Sequence, residues 1–172
     1  MSPPHATPTP GYWLMKSEPA EASIDDLACA PRQTLPWTGI RNYQARNYMR
    51  DAMRAGDGVL FYHSSCPQPG IVGVACISGL AVPDTTQWDS RSPYHDVKSS
   101  VDSPRWLQID VSLVRKTRLL GLTEMREQPA LHTLQVLKCG NRLSITPVTA
   151  EEWATVLSLL GPDRAHAAGQ GR

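Results

Sequence analysis

Between Trp37 and Arg54 the chain reads WTGIRNYQARNYMRDAMR, and Arg41, Asn42, Tyr43, Gln44, Arg46, Asn47 and Tyr48 crowd into eight positions of it. Planar side chains with several donors and acceptors hold flat ligands. Two other short stretches carry groups of the same kind. Ser17 and Glu18 follow an apolar run, and His63 and Ser64 follow another. Together they would supply an aromatic face, hydroxyls, a carboxylate, amides, a guanidinium and an imidazole. Such a set suits a ring that stacks on Trp37, hydrogen-bonds along its edge and is joined to phosphate. Each residue also has a plainer use. Glu18 can pair with Arg41, since a buried carboxylate needs a partner. His63 can be a core histidine bonded to backbone, the Arg row can be a solvated helix face, and Trp106 and Trp153 can be core.

Strand ends and helix starts are the places a scaffold holds functional groups, and the pattern puts all three stretches there. Tyr12–Met15 reads as a buried strand ended by a turn at Lys16–Pro19. Ser23 reads as a helix N-cap with Asp26 at N3. Pro31 and Pro36 bracket a loop leading to Trp37. From Asn42 a helix is expected, with Ala45, Tyr48, Met49, Ala52 and Met53 toward the core and Arg46, Arg50 and Arg54 along one flank. Val59–Tyr62 and Ile71–Ile77 read as strands, and Gly73 suggests a bulge or a close approach. Residues 79–105 have no clear pattern, and loops that long inside compact domains are functional or mobile. Trp106–Val114 alternates as a half-buried strand. Short helices are expected at 122–126 and 130–137, and a short strand at 143–146. Thr149–Glu152 is a capping box for a last helix striped by Trp153, Val156, Leu157 and Leu160 and stopped at Gly161-Pro162. No strand–helix–strand repeat sets up a parallel sheet, so the class is α+β, with five or six short strands able to close a small mixed barrel.

The 172 residues suffice for one domain, and 41% hydrophobic against 19% charged residues is a globular composition. Net charge is only +1, which argues against generic affinity for duplex phosphates. The positive character is local, with four Arg against one Asp between 41 and 54. Any nucleic-acid contact is therefore a small docking site rather than a long track. The four cysteines are scattered without a Cys-x-x-Cys pair, which supports neither zinc nor a disulfide framework. No cofactor is implied. Residues 1–10 and 162–172 read as tails around a domain at 11–161. With no signal peptide and no membrane-spanning run, a cytosolic or nuclear protein remains, the cytoplasm being the expected compartment.

YWLMKSEP, W-x-G-x-RNYQARN, GD-x-VLFYHS, PGIVGVA, PRW and RLS-x-x-PVT-x-EEW follow one another in order across roughly residues 11–160. In these motifs the chain resembles the EVE domain family. The resemblance implies a PUA-like fold, a small mixed β-barrel with peripheral helices, related to the YTH readers. Lys16-Ser17 and the strand IVGVA are similar to the YTH pattern. It also implies a nucleic-acid-associated pocket for modified bases. Carried onto this chain, the pocket members are Ser17, Glu18, Trp37, Arg41, Asn42, Gln44, Asn47, His63 and Ser64. A second tier comprises Tyr43, Tyr62, Lys98, Trp106, Arg142 and Ser144. The YTH cage uses two or three aromatics, and here the motif places only Trp37.

Three functions compete. The first is a non-catalytic reader of a modified or extruded base in DNA or RNA, with Arg46 and Arg50 on phosphate. The second is a nucleotide- or nucleic-acid-processing enzyme using His63 as general acid/base. No Gly-x-Ser-x-Gly elbow, Walker loop or His-Glu-x-x-His supports it. The third is a module that captures a small metabolite or a protein tail, which the near-neutral charge favours. The reader needs three distant stretches to line one cavity.

Overall fold

A computed structural model describes residues 9–162, so most of each expected tail lies outside the described residues. The strands are β1 (Tyr12–Ser17), β2 (Thr34–Trp37), β3 (Gly58–His63), β4 (Gly70–Ile77), β5 (Val82–Pro83), β6 (Leu107–Gly121) and β7 (Ile145–Pro147). The helices are α1 (Ile24–Cys29), α2 (Tyr43–Asn47), α3 (Leu122–Arg126) and α4 (Ala150–Leu160). The sheet runs β2-β6-β4-β3-β1-β7, with β5 attached to β6. All neighbours are antiparallel except β1 and β3, which are parallel from Tyr12↔Gly58 to Ser17↔His63.

Alternation along the strands builds two cores, one on each face. Trp13, Met15, Val59, Phe61, Ala75, Ile77, Ile109 and Val111 pack with Ile24 and Leu27 of α1 and with Ala45, Met49 and Met53. Leu14, Leu60, Tyr62, Ile71, Val74 and Leu120 pack instead with Met125, Leu131, Val156 and Leu160. At Gly73 the expected bulge is present, and what approaches it most closely is a side chain rather than another backbone. The β4–β6 register shifts beside it, and a Cβ there would sit 2.6 Å from Ile24 Cδ1.

Several elements differ from the pattern. The long central helix is only five residues of α2, followed by a single wide π turn over Tyr48–Ala52. Ala45, Met49 and Met53 stay buried, but the wide turn swings Ala52 out and ends the Arg row as a regular stripe. Thr34–Trp37 is an edge strand on β6 rather than a loop, because Pro36 needs no ladder donor at an edge. β6 continues to Gly121, well past Val114, where exposed Arg and Lys positions hide the alternation. The expected helix at 130–137 is two 3-10 turns, Pro129–Leu131 and Gln135–Leu137.

The stretch 79–105 is ordered around two fully buried polar side chains. Asp84 accepts from the Gly39 and Thr86 N–H groups, the Thr86 hydroxyl and Arg41 Nη1 at 2.6–3.0 Å. Gln87 Oε1 accepts from the Ser99 hydroxyl and from the Arg105 and Trp106 N–H groups, while Nε2 donates to the Asp84 and Trp106 carbonyls. Backbone groups with no ladder partner are satisfied by these two side chains instead.

Candidate functional site

Parallel strands end at the same rim, so β1 and β3 deliver Ser17 and Ser64 side by side; the Ser64 N–H donates to the Ser17 carbonyl at 2.9 Å. The segment entering β7 closes the third side, where the Lys16 N–H donates to the Ser144 carbonyl at 2.8 Å. Between these ends and β2 lies an open cavity of about 880 Å³, within the roughly 300–1,000 Å³ usual for ligand sites. Of the residues singled out from sequence, Ser17, Glu18, Trp37, Ser64, Arg142 and Ser144 line it.

Trp37 is half-buried, its indole meeting the Phe61 ring edge-on at 5.3 Å. Phe61 thereby fixes the indole plane, and the indole N–H has no hydrogen-bond partner among the described residues. The Ser17 hydroxyl donates to the Ala22 carbonyl at 2.6 Å and shapes the turn after β1. Lys16, half-buried at the same rim, has an ammonium that burial holds below its ordinary pKa.

The opposite wall is Tyr94. Its hydroxyl donates to both Glu21 carboxylate oxygens, at 2.7 and 2.6 Å, joining the 84–105 segment to the turn after β1. Burial, that hydrogen bond and the Glu21 and Glu18 charges push the Tyr94 phenol up to about 12. The ring leans on the backbone of Gly39, where φ is +79° and a Cβ would come within 2.8 Å of it. Only glycine accepts both conditions. Nothing in the residue pattern marks Tyr94, which sits in an irregular stretch and is placed by contacts over forty residues away.

The other positions fall outside the cavity. Arg41 is fully engaged, donating to the Tyr94 carbonyl twice, the Ile40 carbonyl, the Thr86 hydroxyl and Asp84. Its ion pair is with Asp84 at 3.0 Å, not with Glu18. Burial pushes the Asp84 carboxyl up, and the Thr86, Gly39 and Arg41 hydrogen bonds more than reverse this, leaving it below the usual range. His63 Nε2 accepts the Ile24 N–H at 3.1 Å at the start of α1, and burial lowers its pKa. Tyr62 is buried in the second core. Asn42 caps α2 through the Gln44 and Ala45 N–H groups. Gln44 donates to the Tyr48 hydroxyl, and Asn47 accepts from Arg46.

Tyr43 stacks on Trp106 with ring centres 4.9 Å apart, and Trp106, itself buried, donates its indole N–H to Asp96. Arg46 lies 4.7 Å over Tyr43, and Arg41 lies 5.5 Å from both Trp106 and Tyr94. Tyr94, Arg41, Trp106, Tyr43 and Arg46 thus form one continuous ladder of aromatic and guanidinium groups from the cavity wall to the surface. Arg50 pairs with neighbouring Asp51 in solvent, and Lys98 is exposed. Among the described residues no three His, Cys, Asp or Glu come together as metal ligands would, and no helix is long and apolar enough to cross a membrane.

Residues 11–159 match the model of the EVE domain. The chain belongs to the EVE domain family. Human thymocyte nuclear protein 1 is 42% identical over 165 residues, which span 86% of this chain and 73% of the human protein. A Pseudomonas syringae crystal structure superposes with a TM-score of 0.82 at 47% identity, covering 86% of this chain and 98% of that one. The crystal structure of human THYN1 in complex with 5-methylcytosine-containing DNA gives 0.82 at 41% identity, covering 89% and 99%. The EVE fold is PUA-like, and the α+β arrangement described above is of that kind.

Proposed function

We propose that this EVE domain is a non-catalytic reader that takes a modified base, turned out of its stack, into the cavity between Trp37 and Tyr94. The observation that carries the reading is the indole wall: Trp37 packs edge-on against Phe61, borders a cavity of about 880 Å³ and has its N–H unpartnered among the described residues. Stacking on an aromatic contributes on the order of 1–3 kcal/mol per base. Glu18 and the hydroxyls of Ser64 and Ser144 lie on the same cavity and contact the base edge. A carboxylate accepts, so Glu18 suits an exocyclic amino group such as that of cytosine. The DNA complex of human THYN1 supports DNA carrying 5-methylcytosine as the first ligand to try.

Turning a base out of a duplex costs a few kcal/mol, least in mismatched or single-stranded sites. Single-stranded oligonucleotides therefore bind more tightly than duplexes of the same sequence. Titration of the tryptophan fluorescence with oligonucleotides containing 5-methylcytosine or plain cytosine tests the reading. Quenching that favours the modified strand, and is lost in Trp37→Ala, is expected. Equal binding of both strands by wild type and Trp37→Ala would overturn it.

A further inference from the structure

We infer that the exposed outer end of the aromatic–arginine ladder is a second nucleic-acid contact, which stacks a base flanking the one in the cavity and holds the adjoining strand. This rests on the reader function proposed above. Tyr43 is 50% exposed although it is stacked on a buried tryptophan. A large aromatic held flat and left half in water is an unusual use of apolar surface. On the segment that supplies Asp96 to Trp106, Val97 and Val101 are 83% and 71% exposed.

The charge around that ring selects the partner. The Arg46 guanidinium lies over the ring and donates to the Arg105 carbonyl, which ties α2 to the 96–105 segment. Arg105 keeps more than a third of its side chain in solvent and reaches Asp96 only at 3.9 Å. Lys98 is exposed on the same segment. With Trp106 stacked on Tyr43 and Arg46 over the ring, the outer end offers a guanidinium backed by an aromatic, a platform on which a base of a single strand stacks while its phosphates meet the neighbouring cations. A protein partner would gain little from guanidinium and ammonium groups without matching carboxylates.

Continuity places the platform within one strand of the cavity. Tyr94 forms the cavity wall, and every rung from Tyr94 through Arg41 and Trp106 to Tyr43 is under 6 Å. Arg41 has its donors on backbone carbonyls, the Thr86 hydroxyl and Asp84, so the ladder is a fixed spacer and not a moving part. Its length sets the distance between the captured base and its stacked neighbour.

The test compares ligands of different length. Isothermal titration is run with 5-methylcytidine monophosphate and with a single-stranded nonamer holding one central 5-methylcytosine. The variants are Tyr43→Ala, Tyr43→Trp and Lys98→Ala/Arg105→Ala, each checked by melting temperature. Tyr43→Ala is expected to weaken the nonamer roughly tenfold and leave the mononucleotide unchanged. Tyr43→Trp, which restores a platform, should regain the nonamer. The double variant should flatten the salt dependence of nonamer binding by between one and two phosphate contacts. Nonamer affinity equal to wild type in Tyr43→Ala, with mononucleotide binding intact, overturns the platform and leaves the reader standing. Loss of mononucleotide and nonamer binding together in a folded Tyr43→Ala also overturns it, since the residue would then belong to the cavity. Should wild type hold no mononucleotide while the nonamer still depends on Tyr43, the cavity reading fails and the surface survives.

Discussion

The cavity and the ladder use the same kinds of residue to opposite ends. On the ladder, Arg41 has each of its nitrogens engaged, Asp84 accepts four hydrogen bonds, and Gln87 is satisfied at both ends. In the cavity, the indole N–H of Trp37 and the rim hydroxyls of Ser64 and Ser144 have no protein partner among the described residues. Residue type alone does not separate a binding group from a fastener; its remaining hydrogen-bonding capacity does. An arginine in a polar motif is as ready to hold a loop as to hold a ligand.

That contrast can be broken by experiment. Asp84→Ala leaves Arg41 beside an emptied buried site and removes the anchor of the 84–105 segment, so it should cost about 3 kcal/mol or more in urea unfolding. A loss below about 1 kcal/mol would mean that the ladder is not what fastens this half of the molecule. Trp37→Ala, by comparison, should be felt mainly in ligand titrations. Gly39→Ala sits between the two regions. Its positive φ and the Tyr94 ring 2.8 Å away predict a stability loss of about 1–2 kcal/mol together with weaker base binding, since the wall must shift. Unchanged binding in a destabilised Gly39→Ala would show that Tyr94 is a bystander to the cavity.

The smallest expected effect concerns His63. Burial holds its folded pKa below the ordinary 6.5, and its Nε2 must stay unprotonated to accept the Ile24 N–H. As pH falls the unfolded chain takes the proton first. The stability His63 contributes is therefore complete above about pH 6.5 and declines as pH drops through the depressed folded value. Melting temperature should fall slightly from pH 7 to 5, and less steeply in His63→Gln. A rise over the same interval would refute the assigned hydrogen bond.

Much of the scaffold was legible because strand alternation and capping are local. β1, β3, β4, the Ser23 N-cap, the Thr149 capping box and the stripe of α4 stand where the pattern puts them. β2 was hidden by Pro36, since an edge strand escapes the usual rule. The π turn after α2 was hidden because Ala45, Met49 and Met53 keep a helical spacing through it. The separation of cavity from ladder was beyond sequence reasoning. Asn42, Tyr43 and Trp37 are neighbours in the chain, but the left-handed Gly39 between them turns α2 away from the rim. Tyr94 could not be chosen either, since its position depends on Asp84 and Gln87, polar residues that look like loop surface until they are buried.

β1 pairs on one side with a strand that begins at residue 58 and on the other with one that begins at residue 145. During synthesis the first strand to emerge is thus the last to have both edges covered. Until the segment 142–147 has joined β1, the rim contributed by Arg142 and Ser144 does not exist. A chain lacking that segment would carry Trp37 and Ser17 yet leave the cavity without its third side.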